Sequence, residues 1–265
     1  MKKYLTFCKS IVQISIIYRG PMLIWVIGGM ITMLVISAMW QTASGAQTLG
    51  GYTRSELVSY YLIGFIFSWM TGWYPFNNVS EEIKDGSIAW KVLIKQVSYL
   101  WLNICTEATW HAVSLIFVLT VVILSVVIFG INLVVSLVFP QLVFLLMALA
   151  LAALVSFSFC MCLGVLALWF TEVSTLFRII FWGGMGLFGG QALPISFIPG
   201  VFHNLIKILP YRYIYSFPLE IYFSKISPGE IYAGIFVASA WAGFFLILFN
   251  FLWSRGLKGY AAYGH

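Results

Sequence analysis

The chain has 265 residues, 62% of them hydrophobic and 8% charged, with a mean hydropathy of +1.00 and a formal net charge of +6. Soluble domains carry about 25% charged residues, and no soluble core of this size could hide so much apolar surface, so the composition excludes a soluble globular domain. The modest positive balance matters through its placement and gives no reason to expect nucleic acid as a partner.

Taken in order, the chain predicts an all-α membrane protein with six spans. Residues 1–20 carry Leu5, Cys8, Ile11, Val12 and Ile16 at helical spacing, with Lys9 and Gln13 between them, which predicts an amphipathic interfacial helix. Its scattered basic residues and lack of a small-residue cleavage site argue against a cleavable signal. Pro21 is placed to open a first span over 21–41. A Gly/Ser/Thr-rich loop separates it from a second span over 56–76, whose end carries Trp73, Tyr74, Pro75 and Phe76.

Residues 79–103 then form the one substantial polar island, with Glu81, Glu82, Lys84, Asp85, Lys91 and Lys95. A central charge in hydrocarbon costs roughly 2.5–3.5 kcal/mol on insertion scales, so the island is an aqueous loop. Ser80 is expected to cap a helix opening at Glu81, with acids in its first turn. Gly86 permits a turn, and Ile88, Trp90, Val92, Leu93 and Ile94 lend a second piece an apolar side. A short amphipathic helix offering acids to the cytosol is something a partner protein could grip; the plainer reading is an interfacial loop on lipid headgroups.

A third span is expected over 106–129, entered by Glu107 and His111, and a turn at Gly130-Ile131-Asn132 follows. The uncharged run to Trp169 is expected as one long tilted fourth span over 137–169, broken near Pro140, rather than two crossings. The fifth span, 179–193, is short and glycine-rich. Pro194, Pro199, Pro210 and Pro218 punctuate the sparsely charged stretch 194–228, which is expected to form a re-entrant hairpin of two short helices. The sixth span is 231–254. With the N-terminus inside, Lys2, Lys3, Lys9, Arg19, Lys84, Lys91, Lys95, Arg178, Arg255 and Lys258, ten of the 14 basic residues, are cytoplasmic. Arg54, Lys207, Arg212 and Lys225 lie outside, in accord with the positive-inside rule.

The sequence has no G-x-x-x-x-G-K-[ST] loop, so this chain is not expected to be an ATPase or other enzyme by that route. His111, His203 and His265 are dispersed, and Cys160 and Cys162 sit in an apolar run as packing residues, so no metal site is expected. Glu107 and His111, at i and i+4 on one helix face, are candidates for a proton relay or a substrate contact, against the plainer reading of a hydrated structural pair.

The order of parts resembles the ABC-2 type exporter permeases, and within them the ABC-2 family transporter proteins of roughly 260 residues. The stretches that carry the likeness are EEIKDGSIAWKVLIKQVSYL at 81–100, LPYRYIYSFPLEIYFSKIS at 209–227 and FLWSRGLKGYAAYGH at 251–265. One departure is Gln96-Val97 before Ser98-Tyr99, where the family often has a proline. The resemblance implies one transmembrane domain over 1–265 in a multi-pass protein of the bacterial inner membrane, with both termini cytoplasmic. It implies two copies of a cytosolic ABC ATPase, which would bind ATP and Mg, and a second permease, identical or paralogous, as partners within the lipid. Glu81, Glu82, Lys84, Asp85 and Gly86 would then couple to the ATPase. An outer gate is expected from residues 177–190, with Phe177, Phe181 and Phe188 joining Glu107 and His111 as pathway or gate candidates. The cargo would be hydrophobic or amphiphilic: a drug, a peptide or a lipid-like molecule. EEIKDG is only weakly similar to the coupling loop of ABC importers, lacking its small residues and its late position. The alternatives are a membrane-embedded lipid-modifying enzyme using Glu107, His111 or the cluster Tyr211, Arg212, Tyr213 and Tyr215, and an assembly subunit with no cargo path.

Overall fold

The computed structural model describes residues 2–44, 48, 50–89, 91, 98–136, 139–198 and 200–259. Trp90, Val92, Leu93, Ile94 and Lys95, the Gln96-Val97 departure, Pro199 and residues 260–265 lie outside them. The described residues are mostly helical, without strands: α1 (Lys2–Ile17), α2 (Arg19–Ser44), α3 (Arg54–Thr71), α4 (Phe76–Lys84), α5 (Ser87–Ala89), α6 (Tyr99–Phe129), α7 (Gln141–Val165), α8 (Val173–Phe177), α9 (Gly184–Phe188), α10 (Gly200–Ile206), α11 (Pro210–Ile214), α12 (Ser216–Tyr222) and α13 (Pro228–Gly259). A π-helical segment, Arg178–Gly183, joins α8 to α9.

Among the described residues, four helices are long and apolar enough to cross a membrane: α2, α6, α7 with its 3₁₀ extension to Leu168, and α13. α3 and the run Val173–Phe188 are shorter or more polar. α7 is the central post, with 56% of its apolar window buried against 22% for each of the other three. It packs against α13, α4, α11, α12 and α3. Small residues permit this: Ala148 and Ala152 on α7, and Gly234, Ala238 and Ala242 at four-residue spacing on α13, are buried, so backbones approach closely where no hydrophobic drive separates helix from lipid. A second packing group joins α2, α3 and α6 through Val26, Met30, Leu62, Phe65, Val118 and Val122.

Several boundaries differ from those expected. α3 stops at Thr71 because Gly72 caps it and Pro75, which has no N–H to give, sits at the N-cap of α4. α4 therefore begins at Phe76 and not at Glu81. Ser80 lies mid-helix, its hydroxyl donating to Asn77 O at 3.1 Å, so it caps nothing. α6 begins at Tyr99, a full two turns before residue 106, because Tyr99, Leu102 and Asn103 turn a buried face to the body. α7 is one helix, as expected, but starts at Gln141 after Pro140. The preceding stretch is irregular, and Val134 N–H donates to Ser59 Oγ at 2.8 Å.

The run from Val173 ends at Phe188 rather than 193. Gly190 follows at φ 89°, where a Cβ would fall 2.8 Å from Ser216 and 2.9 Å from the Tyr60 hydroxyl. The stretch 194–228 holds three short helices and a 3₁₀ turn, not two helices. α10 is exposed, with Val201 at 83%, whereas α11 and α12 are almost wholly buried. Trp241 Nε1 donates to Ile208 O at 2.8 Å, and Thr71 Oγ1 donates to Ile214 O at 3.1 Å. The chain then returns to the opposite end of α3, where Lys225 pairs with Glu56 at 2.9 Å.

The contacts sort into two ends. One gathers α4, α5, the start of α6, the close of α7, α8 and the last turns of α13. The other gathers 50–60, 131–141, 189–197 and 222–230.

Candidate functional site

The polar island becomes a helix glued to the body by one face. Phe76, Val79, Ser80 and Ile83 of α4 are buried; Asn77, Asn78, Glu81, Lys84 and Asp85 are exposed. The buried face rests on the end of α7, where Gly164 leaves room for Val79: a Cβ there would fall 2.9 Å from it. Phe76 stacks on Phe177 with centroids 4.0 Å apart and planes 3° from parallel, and Phe177 stacks on Phe181 at 5.3 Å. Burying such rings is the strongest attraction available to so short a helix.

The five coupling candidates are not equivalent. Glu81, Lys84 and Asp85 point outward. Glu82 turns back: it pairs with Lys91 and accepts from the Tyr99 hydroxyl at 2.9 Å. Asp85 accepts from the Ser87 amide at 2.8 Å, and that bond holds its carboxyl below the usual value. Gly86, at φ 79°, makes the turn from α4 to α5 that a side chain would strain.

The expected pair at i and i+4 meets. His111 Nε2 lies 3.4 Å from Glu107 Oε2, and both side chains are largely buried. The same carboxyl oxygen accepts the backbone N–H of Tyr74 at 3.0 Å, in the linker between α3 and α4. The Trp73 ring lies flat over His111, 6.4 Å away and 12° from parallel, and Ser156 Oγ of α7 donates to Trp73 O at 3.2 Å. His111 Nδ1 is buried without a hydrogen-bond partner.

The aromatic gate candidates divide. Phe177 and Phe181 lie directly beneath α4, so they belong to the α4 end and not to a gate at the far end. Phe188 is set apart, half-buried, with its ring 6.2 Å from Tyr211. The Tyr/Arg cluster is taken up in packing: Arg212 pairs with Glu220, Tyr211 donates to Ile180 O at 2.8 Å and Tyr213 donates to Lys207 O. Among the described residues no three His, Cys, Asp or Glu gather as metal ligands. Cys162 donates instead to Phe245 O. At the other end of the molecule a cavity of about 490 Å³ opens between Leu34, Val58 and Ile131, with Arg54 on its rim.

Sequence reasoning missed Phe76, Gly164, Ser156 and the Tyr74 amide. Only the proline at 75 and the glycine at 164 carried any signal, as a break and as a point of close approach.

The chain is thus a multi-pass helical membrane protein with a short amphipathic helix laid across one end of its bundle. The family model described as "ABC-2 family transporter protein" matches residues 23–264. The chain belongs to that family of ABC transporter permeases, membrane transport components without ATPase motifs of their own. No curated protein and no solved structure matches it.

Proposed function

We propose that the chain is the membrane subunit of an ATP-driven exporter, forming half of a translocation path with a second permease, identical or paralogous. It takes power from two cytosolic ATPase subunits, which hold the ATP and Mg, and moves a hydrophobic or amphiphilic cargo across a bacterial inner membrane. α2, α3, α6, α7, the run Val173–Phe188 and α13 make six crossings, with both termini cytoplasmic, and 194–228 re-enters the body between the last two.

The observation that carries this reading is α4. A helix whose apolar side is bound to the bundle and whose other side offers Asn77, Asn78, Glu81, Lys84 and Asp85 is built to be gripped from outside. Because Glu82 is engaged within the chain, Glu81 and Asp85 are the acids that meet the ATPase. Reversing both, with Glu81→Lys and Asp85→Lys, should strip the ATPase from the purified complex, while reversal of the far-end Glu230 should not. Retention of the ATPase by the double variant, or labelling of Glu81→Cys only from outside the cell, would sink the proposal.

A further inference from the structure

We propose that Glu107 is a positioning residue that ties the linker before the ATPase-facing helix to α6, so that a push on α4 is delivered about two turns further along a span that α4 itself meets at its first residue, where Tyr99 donates to Glu82. The inference rests on the permease reading above and deepens it.

The argument begins with the gap between α3 and α4. Gly72 ends one helix and Pro75 opens the next, so the backbone between them lies outside any helical ladder. Such groups in a dry setting must find partners or cost several kcal/mol each. Gly72 N–H donates to Ser68 O and Trp73 N–H to Thr71 O, both within the strand of chain just finished. Two further groups of the linker are answered, each by a different span. Trp73 O accepts from Ser156 of α7, and Tyr74 N–H donates to Glu107 of α6.

Glu107 is only 7% exposed. Here the oxygen that meets His111 is the one that takes the Tyr74 amide. His111 backs it from one turn along α6, and the rings of Trp73 and Trp69 cover the imidazole. The pair is therefore a clasp on the α3–α4 linker. A hydrogen bond to a carboxyl group is directional, so it transmits displacement of the linker to α6.

Hydrogen exchange followed by mass spectrometry tests both halves. In the purified permease, Glu107→Ala should speed exchange of the 72–76 backbone about tenfold, and Glu107→Gln, which keeps an acceptor, should restore most of the protection. Unchanged exchange in Glu107→Ala would overturn the clasp. In the complex with its ATPase, trapping with ATP and vanadate should alter exchange in both 76–84 and 104–111 of the wild type and of Glu107→Gln. In Glu107→Ala it should alter 76–84 but not 104–111, which lies beyond the direct Glu82–Tyr99 contact. If 104–111 still responds in Glu107→Ala, the transmission role is overturned even though the clasp stands. Should the wild type carry no ATPase, the permease reading fails, and the first measurement still decides the clasp.

Discussion

At the α4 end the elements meet through rings: Phe76 on Phe177, Phe177 on Phe181, Tyr99 on Trp253 at 4.8 Å. At the opposite end rings meet too, Tyr52 against Tyr60 at 5.5 Å and Phe223 at 5.9 Å, but charge is added. Lys225 reaches Glu56, Gly51 O at 2.8 Å and the Tyr52 ring; Lys207 reaches Glu230 at 3.1 Å; and Thr53 with Glu56 forms a reciprocal cap on α3. Ring stacks hold by burying apolar surface, whereas ion pairs and caps fix one geometry by direction. The contrast teaches that the α4 end is held chiefly by apolar burial, with directional ties at Glu82 and Glu107, and that the other end is pinned by charge as well.

Phe76→Ala would break the contrast most severely. Losing the stack on Phe177 should cost about 3–5 kcal/mol, read as a fall in the melting temperature of the detergent-purified protein and as loss of α4 protection in hydrogen exchange. Gly164→Leu should wedge α4 from α7 at a cost of about 1–3 kcal/mol. Proteolysis within 76–91 should quicken, with little change at 222–230.

Lys225→Met probes the pinned end. Removing its two hydrogen bonds should cost about 1–2 kcal/mol, with faster exchange at 50–56 and none of the change at α4. Glu82→Ala should cost about 1 kcal/mol through Lys91 and Tyr99, and should release α4 less than Phe76→Ala does in the same exchange measurement.

The smallest effect is a pH dependence at Asp85. Its carboxyl is held below the ordinary 3.8 by the Ser87 amide. The stabilisation is therefore fully present above that value and disappears as the pH falls through the lower folded value. The group is exposed, so screening limits the effect to roughly 0.2–0.5 kcal/mol. Asp85→Asn should flatten the acid limb of a melting-temperature profile by a degree or so, and a steeper loss would mean that a second acid shares the task.

Much of the architecture was legible because hydrocarbon is unforgiving. Uncharged runs such as 141–165 must be helices, and Gly86 had to be a turn. The i and i+4 spacing of Glu107 and His111 also foretold that they meet. Ser80 misled because cap residues act only where a helix actually starts, and Pro75 had already started it. Phe177 misled because an aromatic in a span is the same letter whether it lines a gate or lies under a helix about a hundred residues away in sequence.

By itself, then, the sequence determined that this chain is a multi-pass membrane protein and which stretch is its one substantial polar island. Those properties follow from transfer free energies that each residue carries wherever it is placed. Only the tertiary structure decided that Glu82 faces inward while Glu81 faces out, that Phe177 belongs beneath α4, and that the Tyr74 amide is answered from α6. These depend on which distant segment arrives alongside, and a hydrogen bond or a ring stack has no address until both partners are in place.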